Sequence, residues 1–586
     1  MSRLDWAIVV LYLGGTLTLG LYLARRGSAS LTEYFLGGRA IPWWLAGGSM
    51  AATTFNVDTP LYVAGLVARR GIAGNWEWWC FAATHVVMAV IMGRLWRRAD
   101  VMTDAELIER RYHGRAAALL RGTRAFFFGI PLNCIAIGYG MLAMRKVMVA
   151  LGVTAVFNLP GDQQLWSVAL IVALTLVYAA ASGLWGVVWT DFFQLCLKMF
   201  GAMLVAAYAL AEVHGLSGLR AGLAAVGRAD ALRMLPRAGD AALPIGTFAA
   251  YLMLQWWTYR LADGGGMFVQ RLSAVKDERA ADKASMLFNI LNYVVRTWPF
   301  VVVALAALVV LPPLADPETA YPLMMKRYLP AGVLGLVFAS LIAALMSAVS
   351  TQINWGASYA VRDLYQRFIA PTAREERLVT VGRLATVLIT VLAGAASFYM
   401  ADVGKVFRFM VLFGNGTGAV LLLRWFWWRV NAWTEWTALV AGTTIAILLT
   451  TVPALADLSF GAKLMLTAFG SAALWVPVMF LTASENDAVL DEFYRRARPG
   501  GPGWSAVRAR TGVGPASPLG RDLVEVVATL ALIMGAMLAI GGVVVGSLAW
   551  GAGGLAAAGV GFAVRRMLVK ESQGSEEKKG SQGSIP

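Results

Sequence analysis

The sequence predicts an all-α polytopic membrane protein, and three observations carry that prediction. Of 586 residues, 59% are hydrophobic and 14% charged, where a soluble domain would carry about 25% charged residues. Apolar runs of about 18 residues or more recur from end to end, each long enough to cross a hydrocarbon core of about 30 Å. Within one such run, Ser347, Ser350, Thr351, Asn354 and Ser358 recur at i, i+3, i+4, i+7 and i+11 and so share one helix face. In a spanning helix such a stripe faces a partner helix, a wet cavity or an ion. An uncharged, oxygen-rich face suits a hard monovalent cation; interhelical hydrogen bonding is the alternative.

Taken in order, spans are expected at 5–24, 42–67, 75–96, 118–150, 165–184, 187–211, 243–262, 286–311, 331–360, 377–400, 405–428, 434–452, 464–482, 523–547 and 549–567. The first, Trp6 to Ala24, lacks a small-residue cleavage site and is followed by Arg25 and Arg26, which marks a retained helix. The net charge of +16 is explained by orientation rather than by nucleic acid. With the N-terminus outside and the C-terminus cytoplasmic, roughly 30 basic residues fall on inner loops and about a dozen outside, as the positive-inside rule requires. Arg220, Arg228, Arg233 and Arg237 in the outer loop 212–242 depart from it. Trp43/Trp44, Trp76/Trp78/Trp79, Trp185/Trp189 and Trp425/Trp427/Trp428 lie near span ends, and most read as interfacial anchors.

Cys80, Cys134 and Cys196 are scattered through the spans, as are His85, His113 and His214 along the chain. Neither a disulfide framework nor a zinc spacing exists, and no cofactor is expected. No His/Cys/Asp constellation argues for an enzyme. The segment Thr103 to Tyr112 reads as a short amphipathic helix on the inner surface, a solvated connector. Loop 484–521 is rich in Pro and Gly and reads as flexible. The Ser-, Gly-, Lys- and Glu-rich tail 569–586 reads as disordered.

Two stretches, 42–211 and 243–428, each hold five spans. Five is odd, so the two units would lie in opposite orientations, preceded by the helix and inner loop of 1–41 and followed by the additional helices of 429–568. Each unit opens with an interrupted span. In the first, Pro60 lacks an N–H and frees the carbonyl of Asn56. In the second, Gln255-Trp256-Trp257 is followed by Arg260, Asp263 and Gly264-Gly265-Gly266. Paired broken helices in inverted halves point to a central binding site.

At residues 5–430 the chain resembles the sodium:solute symporter family. The resemblance is carried by Glu33 to Arg39 (EYFLGGR), Ser49 to Phe55 (SMAATTF), Trp189 to Gln194 (WTDFFQ), Val269 to Ala274 (VQRLSA) and Ala344 to Tyr365. It implies an inverted five-helix-repeat core with one preceding and about four following helices. It also implies sodium-coupled symport of a small organic solute, of the sugar, amino acid or carboxylate class, across the inner cell membrane. The alternatives are a proton-coupled or uncoupled transporter of the same fold, or a solute-sensing receptor. Na+ as coupling ion, a small-molecule solute and the lipid bilayer are the expected partners.

The resemblance further implies metal ligands. The carbonyls of Ala52, Phe55 and Ala344 and the hydroxyl of Ser347 would hold one sodium ion, whose remaining hydroxyl position is Ala348, which has no oxygen to give. Asp191, Ser347, Ser350 and Thr351 match a second, more cytoplasmic site. Asp191 reads as an ion ligand or as a salt-bridge partner of Arg383 or Lys198. Asp58 reads as a cap of the resumed half-helix or as a contact to a cationic or hydroxyl-bearing substrate. Thr54, Asn56, Gln255, Trp256 and Trp257 are the other candidate substrate residues. Arg260 with Asp263 reads first as an ion pair at the break, then as a gate.

Overall fold

The computed structural model describes residues 1–23, 36–101, 103–153 and 163–582; Arg25, Arg26 and the Glu33–Phe35 part of the first family motif lie outside them. The described residues are helical and contain no strand. Among them, ten helical runs are long and apolar enough to cross a membrane. In the run Val333–Ile369, which carries the polar stripe, 89% of the most apolar window is buried; in Leu548–Lys570 the figure is 17%. The stripe therefore lies at the centre of the bundle and the last helix at its rim.

Apolar helices gain little from burying one another in lipid, so close approach of small residues has to hold the centre together. A Cβ on Gly356 would lie 2.7 Å from the carbonyl oxygen of Gly129, and one on Gly47 would lie 2.5 Å from that of Ala284. Either substitution would force the backbones apart.

Three helices are interrupted. Trp43–Thr54 gives way at Phe55 and resumes as Asp58–Arg70. Ile245–Ala250 continues through a π-turn at Tyr251–Gln255 to Thr258, then turns extended at Tyr259 and resumes at Met267–Ala274. The turn between them needs φ of +75° at Gly264 and +68° at Gly266, a region that glycine enters without steric cost. The third break separates Val403–Leu412 from Gly418–Phe426. At the first break Pro60 has a smaller effect than expected. The Asn56 carbonyl accepts from Thr59 N–H at 3.2 Å and its side-chain oxygen accepts from Val57 N–H at 2.8 Å. The break's carbonyls that bond other helices lie earlier, at Ala52, Thr54 and Phe55, and of these Ala52 also accepts from Phe55 N–H at 3.2 Å.

Residues Gln163–Glu212 are helical, with a membrane-crossing run at Leu184–Glu212. Three expectations are corrected. Loop 484–521 is ordered as helices Asp487–Ala497 and Ser505–Thr511. Between them Trp504 is fully buried and donates its Nε1–H to the Trp425 carbonyl at 2.8 Å. The helix from Leu548 continues to Gln582, into the tail expected to be disordered; its Glu, Lys and Gln residues favour helix. Finally, Glu106–Arg111 is no solvated connector. The fully buried Arg111 donates to the carbonyls of Arg424 (2.9 Å), Trp427 (3.0 Å) and Trp428 (3.2 Å), ending the third broken helix. Its guanidinium also lies 5.0 Å from the Trp504 ring centre and 5.4 Å from that of Phe493.

On the opposite face, segment 212–242 forms helix Gly215–Ala225. It is tied down by Trp76 Nε1 donating to Met234 O at 2.9 Å and by Arg228 donating to Ala68 O at 2.8 Å.

Arg111→Met should lower stability by about 2–3 kcal/mol, because it leaves helix-terminal carbonyls buried without charged donors. The apparent unfolding midpoint of the purified protein checks this, and an unchanged midpoint contradicts it.

Candidate solute cavity and cation positions

The three breaks surround a cavity of about 260 Å³. Thr54, Asn56 and Asp58 reach it from the first break, Tyr259 and Arg260 from the second, and Ala348 and Gln352 from the striped helix. Arg296 lines it from the helical run Glu278–Val310. Asp58 stands in the first turn of its half-helix without capping it through its side chain, and its buried Oδ1 has no partner. Arg296 donates through Nη1 to the Thr54 carbonyl at 2.6 Å, while its buried Nε has no partner. Thr54 Oγ1 donates to Asn292 Oδ1 at 3.1 Å. One cavity thus holds an unsatisfied acceptor on an acid and an unsatisfied donor on a base. Buried polar atoms are rarely left so, and those that are call for a ligand or another specific role.

The cation positions are held differently from the expectation. Lys198 is 1% exposed, and its Nζ donates to the carbonyls of Ala52 at 2.7 Å and Phe55 at 3.1 Å. These are the two break carbonyls predicted to bind sodium. The Phe55 ring lies between two cations, with Lys198 Nζ 5.4 Å and the Arg296 guanidinium 5.5 Å from its centre. Together Lys198 and Arg296 satisfy the carbonyls of Ala52, Thr54 and Phe55. Ala348 lines the cavity with a methyl group, and Ala344 lies one turn earlier inside the unbroken helix Val333–Ser358.

The lower cluster is assembled, and it too is held by a base. Asp191 accepts from Ser49 Oγ at 2.5 Å and from Ser347 Oγ at 2.6 Å. Arg271 donates to Thr351 Oγ1 at 2.7 Å and stands 3.8 Å from Asp191 Oδ2. Thr351 also meets Thr53 Oγ1 at 3.1 Å, while Ser350 Oγ donates to the Ser347 carbonyl at 3.1 Å. Further along the stripe, Asn354 accepts from Gln270 at 2.9 Å, and Ser358 bonds its own helix at the Trp355 carbonyl, 2.6 Å away. As arranged, the upper position does not fit a sodium ion, because its two carbonyls bond an ammonium and Ala348 supplies no oxygen. Of the four residues predicted for the lower position, only Thr351 bonds a guanidinium, through Oγ1, and that guanidinium stands 3.8 Å from Asp191.

Other expected residues do not come together. Gln255 is fully buried and donates to the Glu77 carbonyl at 2.6 Å. Trp257 donates to Met253 O at 2.5 Å, and the Trp256 carbonyl accepts from Thr84 Oγ1. None of the three lines the cavity, because the π-turn at Tyr251–Gln255 rotates this stretch away from it. Arg260 and Asp263 do not pair. Arg260 bonds the Met410 carbonyl, whereas Asp263 takes Arg424 at 2.7 Å. Arg383 is exposed on the helix Glu375–Ser397, so Arg271 is the base that faces Asp191.

Two buried ion networks flank the cavity. On the side of segment 212–242, Glu77 gathers Arg70 (2.7 Å), Arg408 (2.8 Å), Tyr62 (2.8 Å) and Tyr251 (3.0 Å). On the side of segment 484–521, Arg424 joins Asp263 to Glu435 (3.2 Å), and Arg124 joins Glu435 (3.1 Å) to Asp104 (2.8 Å). Sequence reading missed Glu77, Arg296, Arg424 and Glu435 as site-defining residues. The available signal was a charged residue inside an apolar span, which is costly unless paired or functional.

Broken helices around a central cavity, within a bundle of apolar spans, define the fold class of multi-pass membrane transporters. The sodium:solute symporter family model matches residues 34–442, and the chain belongs to that family. It is 26% identical over 490 residues to a sodium/glucose cotransporter of Vibrio parahaemolyticus, covering 77% of this chain and 86% of the relative. It is 25% identical over 491 residues to a sodium/mannose cotransporter of Bos taurus, covering 76% and 78%. A solved Na+-coupled sialic acid symporter in a substrate-bound outward-open state superposes with a TM-score of 0.68 at 20% identity. That match covers 83% of this chain and 99% of the other. The fold is the expected inverted-repeat core of sodium-coupled transporters.

Asp191→Ala should cost about 3–5 kcal/mol by leaving Arg271 buried without its counter-charge. Adding Arg271→Met should recover part of that loss. A double variant as unstable as the sum of the two singles would contradict the coupling, read from apparent unfolding midpoints.

Proposed function

We propose that this protein is a secondary active transporter that carries a small organic solute by alternating access, with the solute held between Asp58 and Arg296. The unpaired Asp58 Oδ1 and Arg296 Nε, on two residues that line one cavity, carry this reading. A solute with a cationic or multiply hydroxylated end for Asp58 and a carboxylate for Arg296 satisfies both atoms at once. Such pairing is strongest when charge-assisted, which favours the amino acid class over a neutral sugar. A volume of about 260 Å³ sits near the lower end of small-molecule sites, roughly 300 Å³, and suits a compact solute.

The positive-inside rule supports a cytoplasmic face at 484–521 and an outer face at 212–242. In that orientation the Glu77 network closes the outer side and the Arg424 network the inner side, and each opens in turn. Family membership makes sodium the first ion to consider, whereas the occupied upper cation position favours the proton-coupled or uncoupled alternative of the same fold. In this chain the positions predicted for sodium are held by Lys198 and Arg271, so the cavity is prepared by the chain's own cations.

Purified protein should be stabilised by zwitterionic amino acids in a thermal screen that also contains neutral sugars and simple carboxylates. The stabilising compound should enter proteoliposomes, and Asp58→Asn should reduce its affinity at least tenfold, the loss of about 1.4 kcal/mol expected for a charged hydrogen bond. Stabilisation by neutral sugars alone, unaffected by Asp58→Asn, would contradict the proposed solute contact.

A further inference from the structure

A broken helix in a membrane exposes carbonyls that no water reaches, and each requires a donor or a cation. At the first break two such carbonyls, Ala52 and Phe55, converge on one point, and the atom at that point is Lys198 Nζ, at 2.7 and 3.1 Å. The amine arrives from the helix Gln163–Glu212 and bridges it to the break, as a bound monovalent ion would. A loose ion would need these same two oxygens, and Ala348, which lines the adjoining cavity from the striped helix, has only a methyl to offer.

Charge adds to the geometry. The groups facing Lys198 are Asp191, two turns earlier on its own helix, Arg296 from the Glu278–Val310 run and the Phe55 ring. Asp191 is itself matched by Arg271 at 3.8 Å. A further cation placed here would meet three fixed positive groups and one carboxylate already held by two hydroxyls and a guanidinium. Repulsion of this kind between close charges is severe at low dielectric.

We infer that Lys198 is a tethered substitute for the coupling ion at the helix break, so that this chain holds its cavity-lining segment Thr54–Asp58 in place without binding sodium there. Lys198 and Ala348 act as a pair: the amine supplies the charge, and the missing hydroxyl removes the competing ligand shell. The inference rests on the transport reading for its meaning. Its test uses salts alone, so a failed solute screen and a failed sodium test remain distinguishable.

The full chain in detergent is melted in sodium chloride and in choline chloride at equal ionic strength. The wild type should show no sodium-specific shift of its midpoint. Lys198→Ala should be less stable in choline and regain stability in sodium, with the folded-to-unfolded ratio rising about tenfold at ten times the dissociation constant. Lys198→Ala with Ala348→Ser should respond at lower sodium. If Lys198→Ala is not recovered, Lys198→Met, which keeps the packed stem and loses only the ammonium, is read in the same way. A wild type stabilised by sodium over choline would overturn the inference. So would an inert wild type whose Lys198 variants are equally inert, because the amine would then be only a structural tie.

Discussion

The structure depends on how a broken helix in an apolar medium satisfies its freed carbonyls. Each open carbonyl buried in lipid or protein costs several kcal/mol unless it finds a donor or cation. At the first break the partners are two basic side chains, Lys198 for Ala52 and Phe55 and Arg296 for Thr54. At the end of the third broken helix Arg111 serves in the same way for Arg424, Trp427 and Trp428. Lys198, Arg296 and Arg111 are thus backbone partners, whereas Arg70, Arg408, Arg124 and Arg424 are matched by the buried acids Glu77, Asp104, Asp263 and Glu435.

That arrangement links fold to function. The segment Thr54–Asp58 is held from one side by Lys198 and from the other by Arg296, with the Phe55 ring between the two cations. Arg296 and Asp58 both line the cavity, and each carries a buried polar atom without a hydrogen-bond partner. The residues that stabilise the interruption therefore border the space it creates, which is why they carry the proposed solute contact. The Glu77 and Arg424 networks lie on opposite sides of that space, and charge pairs buried in this way are stable only while intact. They are suited to switching between two discrete states rather than to gradual loosening.

Much of this was legible in the sequence. Hydropathy located the spans, Pro60 and the Gly264–Gly266 triplet marked two breaks, and the stripe from Ser347 to Ser358 marked the helix at the centre. Asp191 and Ser347, expected to share an ion, meet through a direct hydrogen bond, and Ser49, on the first broken helix, is the unforeseen second hydroxyl on the carboxylate. What could not be read was the reach of long side chains across the bundle. Lys198 appeared only as a neighbour of Asp191 on its own helix, because sequence spacing says nothing about a contact with Ala52, 146 positions away. Gln255, Trp256 and Trp257 were misassigned because a π-turn shifts helical phase without any proline or glycine to announce it. Loop 484–521 was read from its Pro and Gly content, whereas Phe493, Tyr494 and Trp504 decided its packing.

The central claim is that the chain's own cations prepare the solute cavity. It is tested most directly by uptake of the stabilising solute into proteoliposomes with all sodium replaced by choline. Uptake that persists in choline, and is lost when Arg296 is replaced by glutamine, is the predicted result. Uptake that vanishes in choline and returns in proportion to added sodium would contradict the account.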